Sequence, residues 1–317
     1  MPPMNGNGSK IEIFKPFGEA FELMKKILFQ PFNLKKWLVI GFAAWLANLG
    51  AGGGGNFNFP DGQHKEADKL NEAMGQIPQP ILITGICVLV CIVLLLIVLF
   101  AWLRARGRFI LVDCIVHNRA AIAVPWKEFR AEGNSFFLFS LIVALVVVPV
   151  ILIAGLVLIV PFMPWHGQAE PGLGFWIGIS LTAFISVCLV FVWTLATQLM
   201  VPIMYRQRCR ARLAFAQAVD LVSSHPGPIL LYVLFLLLLA VAAFMLSCAV
   251  TCATCCIAAI PYVGTVILLP IPVTLGAFSL LFLRQFGSDY DVWAGFVPPE
   301  FSPMLRPKSA PPGTEPS

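Results

Sequence analysis

An all-α bundle embedded in a membrane is the fold class this sequence predicts, and three observations predict it. Apolar residues fill 59% of the 317 positions and charged residues only 12%, about half the charged share of a soluble domain. Uncharged runs recur at the length of a bilayer crossing, about 20 residues. The basic residues fall in blocks between those runs, which is how membrane topology is written in sequence.

Six apolar stretches follow in order. The first, Trp37 to Ala51, is short. The second, Ile81 to Leu103, is uncharged and long enough to cross. The third runs from Phe136 to Met163, with Pro149 predicting a kink. The fourth runs from Phe175 to Tyr205, with Pro202 near its end. The region Pro228 to Leu283 has no charge and fits two spans, with a turn near Ala258 to Gly264. Pro270 and Pro272 are expected to distort the sixth helix.

The connections test that count. Residues 1–36 carry six Lys, 104–135 six Lys or Arg, and 206–227 four Arg, while 52–80 carries two Lys against Asp61, Glu66, Asp68 and Glu72. Alternation puts 19 of the 21 basic residues on one side, and Lys/Arg bias makes that side cytoplasmic. Six spans with both termini cytoplasmic are expected. Trp37, Trp102, Trp165 and Trp176 fall near the proposed interfaces. The expected divisions are a cytoplasmic segment 1–36, a six-helix domain 37–287 and a disordered Pro-rich cytoplasmic tail 288–317.

Three cytoplasmic segments read as amphipathic helices at the membrane surface. Their stripes are Phe14, Phe17, Phe21, Met24 and Leu28; Ile122, Trp126 and Phe129; and Phe215, Val219 and Val222. Phe17-Gly-Glu-Ala-Phe-Glu-Leu-Met24 aligns with Phe215-Ala-Gln-Ala-Val-Asp-Leu-Val222, which suggests a surface helix plus a two-span hairpin, repeated three times.

Those residues, with Pro31-Phe-Asn-Leu-Lys-Lys-Trp37, Arg108-Phe-Ile-Leu-Val-Asp113 and Pro125-Trp126, carry a resemblance over residues 10–290. The chain resembles the membrane domain attached to some glycerophosphodiester phosphodiesterases, and related six-span bacterial families of unknown function. Those phosphodiesterases carry a separate soluble catalytic barrel for which this chain has no room. The resemblance therefore implies a membrane domain without that activity.

Candidate chemistry is sparse. Cys248, Cys252 and Cys255 share one helix face, and thiolates there would suit a soft metal. The bland alternative is small-residue packing. Asp113 and His117 lie one turn apart, as an acid/base or pH-sensing pair or as a solvated interface pair. Arg104, Arg106 and Arg108, with Arg206, Arg208, Arg210 and Arg212, would bind anionic lipid headgroups or simply anchor topology. Gly50 to Gly55 lacks the Lys-Ser/Thr ending of a phosphate loop. Only Cys and Tyr are ionisable within the spans, which argues against a proton-coupled pump. No catalytic signature is found, so no enzyme and no cofactor are expected.

The expected function is a non-enzymatic scaffold, regulator or lipid-associated factor. The alternatives are a transporter or flippase for an apolar or amphiphilic substrate, and an intramembrane metal or redox protein. Membrane lipids, a second copy or other membrane proteins are the expected partners. The net charge of +5 is dispersed and does not point to nucleic acid.

Overall fold

The computed structural model describes residues 12–49, 78–160, 173–254 and 260–294. Gly50 to Gly55, the polar stretch to Glu72, Trp165, Cys255 and Cys256 lie outside them. The described residues fold into ten helices: α1 (Phe14–Leu28), α2 (Leu34–Ala47), α3 (Gln79–Val116), α4 (Ala123–Glu128), α5 (Arg130–Ile159), α6 (Leu173–Gln207), α7 (Ala211–Ser224), α8 (Pro226–Ala253), α9 (Pro261–Ile267) and α10 (Pro270–Arg284). Four of them, α3, α5, α6 and α8, are long and apolar enough to cross a membrane.

Local sequence explains the boundaries. The Asn33 side chain accepts from the backbone N–H groups of Lys35 and Lys36 and caps α2. Pro80, Pro226, Pro261 and Pro270 sit in first turns, where the missing N–H costs nothing. Pro149 and Pro202 lie inside α5 and α6, and each removes one helical hydrogen bond.

The first and sixth apolar stretches differ from the expectation of simple spans. Helix α2 has 14 residues, about 21 Å of helix against a hydrocarbon core of about 30 Å. The sixth stretch is divided at Leu268 and Leu269 into α9 and α10, where the proline at position 270 restricts the residue before it.

Burial is concentrated at one end of the long helices. On α3 the buried residues run from Ala105 to Val116, on α8 from Ile229 to Leu236, and on α6 all but Gly178 lie between Thr197 and Tyr205. These are the ends next to the Arg and Lys blocks. Around them pack α1, α2, α7 and α10, forming a collar. Gly107 permits the closest approach in it: a Cβ there would lie 2.6 Å from the backbone of Leu46 and Ala47. The apolar remainders of the four long helices project from the collar with exposed side chains.

The surface helices only partly follow their predicted stripes. In α1, Met24 and Leu28 are buried against α10, but Phe14 and Phe21 are exposed. Helix α7 buries Ala211, Ala214, Ala218 and Leu221 and leaves Phe215, Val219 and Val222 exposed. Small residues let two helices approach closely, so the Ala face packs and the bulky face stays open. Helix α4 is a single short piece. Its stripe turns inward: Phe129 is buried, stacked on Tyr205 at 4.6 Å and on Phe109 at 6.1 Å.

The tail boundary also moves. Val292 and Trp293 are buried, and Arg284 pairs with Asp291 at 3.3 Å, so folded structure continues past 287. The first described residue meets the end of α10 here. The Gln285 side chain accepts from the Glu12 N–H at 2.9 Å and donates to the Glu12 carbonyl at 2.8 Å.

Candidate functional site: an unpaired arginine pair between two cavities

Along α3 the uncharged run 81–103 ends at Arg104, and Arg106 and Arg108 follow. A helix turns about 100° per residue, so positions 104 and 108 share a face and 106 points away from it. The three arginines accordingly have different surroundings.

Arg106 is committed to structure. Its guanidinium lies 4.5 Å from the Trp102 ring and 4.8 Å from the Trp126 ring. It donates to Asn134 Oδ1 at 2.9 Å, an oxygen that also accepts from Trp102 Nε1 at 3.1 Å. This fastens α4 and α5 onto α3.

Arg104 and Arg108 are not committed. Among the described residues neither has a carboxylate or hydrogen-bond partner, and Arg104 Nε is buried without one. The one ring contact is Arg108 over Phe136 at 5.5 Å. Two like charges one turn apart repel each other, and a cation withdrawn from water without a counter-charge is costly. An anion between the two guanidiniums would offset both costs.

Both arginines line two cavities. One, of about 400 Å³, lies between α3, α6 and α10 and presents Thr194, Thr197, Gln198, Ser279 and Asn48. The other, of about 430 Å³, lies between α3, α5 and α6 and is mostly apolar, with Ile97, Ala101, Phe137, Leu141 and Trp193. Among the described residues no acidic side chain lines either. In the first cavity Gln198 Oε1 accepts from Ser279 Oγ at 2.9 Å, and Ser279 Oγ in turn accepts from the Tyr232 hydroxyl at 2.9 Å. That leaves the Gln198 amide N–H groups as donors. Tyr232 is itself fixed by stacking on Phe282 at 4.2 Å.

A second cluster braces the collar below this site. Asp113 is fully buried. It accepts from Arg119 at 3.1 and 3.2 Å and from the Tyr205 hydroxyl at 3.1 Å, and His117 Nδ1 lies 3.0 Å away. Asp113 and His117 are thus neither a solvated pair nor a pair alone. The i, i+4 spacing was visible in the sequence. Arg119 and Tyr205 were missed because one reaches back from a loop and the other comes from α6. Lys36 Nζ donates to Asn118 Oδ1 at 2.7 Å and ties α2 to the same corner.

The remaining predicted site residues separate. Arg208 pairs with Glu128 and sits 3.9 Å over the Phe129 ring, so it is a structural clamp. Arg210 and Arg212 are exposed and Arg206 is half-buried. Cys248 and Cys252 are exposed on α8. Among the described residues no three His, Cys, Asp or Glu side chains group to hold a metal.

This is the architecture of an all-α protein in which four helices are long and apolar enough to cross a membrane. The chain belongs to the family of unknown function DUF7544, whose pattern matches residues 12–292. Among curated proteins and solved structures, nothing matches it.

Proposed function

We propose that this protein is a non-enzymatic, lipid-associated factor of a bacterial inner membrane, which holds an anionic lipid at Arg104 and Arg108 and so organises the membrane or partner proteins around it. The observation that carries the reading is the pair of guanidinium groups without counter-ions, placed where the uncharged run of α3 ends. That is the depth at which a lipid phosphate meets a helix emerging from the hydrocarbon. The Lys/Arg distribution supports a collar and two termini on the cytoplasmic side. In this reading α2 and the α9–α10 pair complete a six-span chain, and α1 and α7 lie in the inner interface. The exposed Phe14, Phe21, Phe215 and Val219 support that placement. The site would serve equally in a dimer or in an assembly with other membrane proteins.

Native mass spectrometry on protein extracted directly from membranes tests it. An anionic phospholipid should survive on the wild type at activation energies that strip bulk lipid, and should be lost from Arg104→Gln/Arg108→Gln. Equal retention by the variant would refute the assignment.

A second reading, a transporter or flippase for an amphiphile, draws on the break at Leu268 and Leu269. A divided helix next to a substrate cavity is a transporter feature. Movement of labelled anionic lipid between leaflets of reconstituted vesicles, faster than in protein-free vesicles, would select this reading over static binding.

A further inference from the structure

We infer that the site selects one class of amphiphile: a phosphodiester lipid whose headgroup carries hydroxyl groups and no amine, with the phosphate between Arg104 and Arg108, the headgroup in the polar cavity and an acyl chain in the apolar one. The inference rests on the lipid-binding reading above and specifies its ligand.

The order of residues along α3 sets the ligand's direction. Ile97 and Ala101, which line the apolar cavity, precede Arg104 on the side of the uncharged run. Leu111 and Val112, which line the polar cavity, follow Arg108 on the side of the collar. The two cavities share the two arginines and also lie side by side, since Leu49 and Trp193 line the apolar one and their neighbours Asn48 and Thr194 the polar one. A phosphate at the arginines, an acyl chain on one side and a headgroup on the other fit this division. Each cavity is of a size that encloses a small-molecule fragment, about 300 to 1,000 Å³.

The chemistry of the polar chamber sets the headgroup. Among the described residues it holds no carboxylate, so an ammonium headgroup would find no counter-charge there and would face two guanidiniums. It offers donors and acceptors in a form that suits hydroxyls. The Gln198 amide N–H groups are donors without a partner among the described residues, while Oε1 is held by Ser279. Asn48 donates through Nδ2 to the Ala44 carbonyl at 2.9 Å, which leaves Oδ1 to accept. Thr194 and Thr197 donate to their own helix at 2.8 Å and keep lone pairs free. Burying a headgroup hydroxyl against this set satisfies both sides, whereas a lipid without a headgroup leaves the polar lining unpaired.

The test is lipid competition on the full-length protein in detergent, read by native mass spectrometry, with phosphatidylglycerol, phosphatidylethanolamine and phosphatidic acid at equal concentration. Phosphatidylglycerol should be retained about tenfold over each of the others, the discrimination of one or two buried hydrogen bonds. Thr194→Val, close to isosteric, and Gln198→Leu should lower that preference several-fold. Arg104→Lys/Arg108→Lys keeps the charge and shows whether a loss in the Gln variants reflects misfolding. Equal retention of phosphatidylglycerol and phosphatidic acid, still sensitive to the arginines, would overturn the headgroup assignment and leave anionic-lipid binding intact. Loss of bound phosphatidylglycerol to millimolar inorganic phosphate would overturn the role of the acyl cavity. If no anionic lipid is retained by the wild type, the underlying function falls as well.

Discussion

Replacing Asp113 by Ala should loosen the collar by an amount the structure allows to be worked out. The carboxylate is fully buried and serves three partners on different parts of the chain. The Tyr205 hydroxyl donates to it, and hydrogen bonds to charged groups contribute about 1.5–3 kcal/mol. After the substitution His117, 3.3 Å away, remains as that hydroxyl's partner, so the lower half of that range applies. The Arg119 side chain is 37% exposed, so it turns to water when released and its pair is worth only about 0.5–1 kcal/mol. Together the loss is about 2–3 kcal/mol. At about 2 °C per kcal/mol for a chain of this size, the melting temperature in detergent should fall by about 4–6 °C. A thiol-reactive dye reporting exposure of Cys114, which is buried beside the cluster, gives the readout. Asp113→Asn keeps the volume and an acceptor and should lose about half as much. Tyr205→Phe should be non-additive with Asp113→Asn by about 1 kcal/mol, as expected for groups in one network. A shift below 1 °C for Asp113→Ala, or strict additivity with Tyr205→Phe, would show that the cluster does not hold α3 to α6.

Three further outcomes are expected. Gly107→Val should destabilise the α2–α3 contact by about 1–3 kcal/mol, because the backbone of Leu46 and Ala47 occupies the space a side chain needs; unchanged thermal stability would refute that packing. Trp126→Ala should cost about 2 kcal/mol through lost packing and one of the two ring contacts to Arg106, while Trp126→Phe recovers about half; equal melting temperatures for the two variants would refute the role of that ring contact. Burial pushes the Cys209 thiol above its ordinary range. A polar maleimide should therefore label it slowly at neutral pH, with the midpoint of its pH–rate curve above about pH 8.5, the midpoint of an unperturbed thiol. A midpoint at the ordinary pH would show that Cys209 is more solvated than the fold implies.

The lipid tests and these stability tests read different parts of the molecule. Arg104→Gln/Arg108→Gln removes two like charges that repel each other and have no partner among the described residues. Those substitutions should leave the protein as stable as before, or more so, while lipid is lost. The Asp113 variants should do the reverse.

Much of the chain was legible without coordinates. The uncharged runs located α3, α5, α6 and α8, because a long run that is apolar on every face has few soluble alternatives, but α3 continues past Leu103 to Val116. The i, i+4 relation of Asp113 and His117 followed from helical geometry alone. The same geometry separates Arg106 from Arg104 and Arg108, although charge counting had grouped the three. The stripes of the surface helices were legible only as stripes. Met24 packs and Phe21 does not, and in α7 alanines pack while Phe215 stays open. Which apolar face a helix buries depends on the shape of its neighbour, and no window of sequence contains that neighbour.

By itself, then, the sequence determined helix, length, polarity and the side on which the basic blocks gather, since each is set by residues near one another in the chain. Tertiary structure decided which of those basic residues are spoken for. Glu128 is taken by Arg208, Asp113 by Arg119 and Asp291 by Arg284, pairings across loops and between helices that spacing does not reveal. Arg104 and Arg108 are left facing two cavities without a carboxylate. Whether a charge has a counter-charge is a property of distances in space, and only the folded chain sets them.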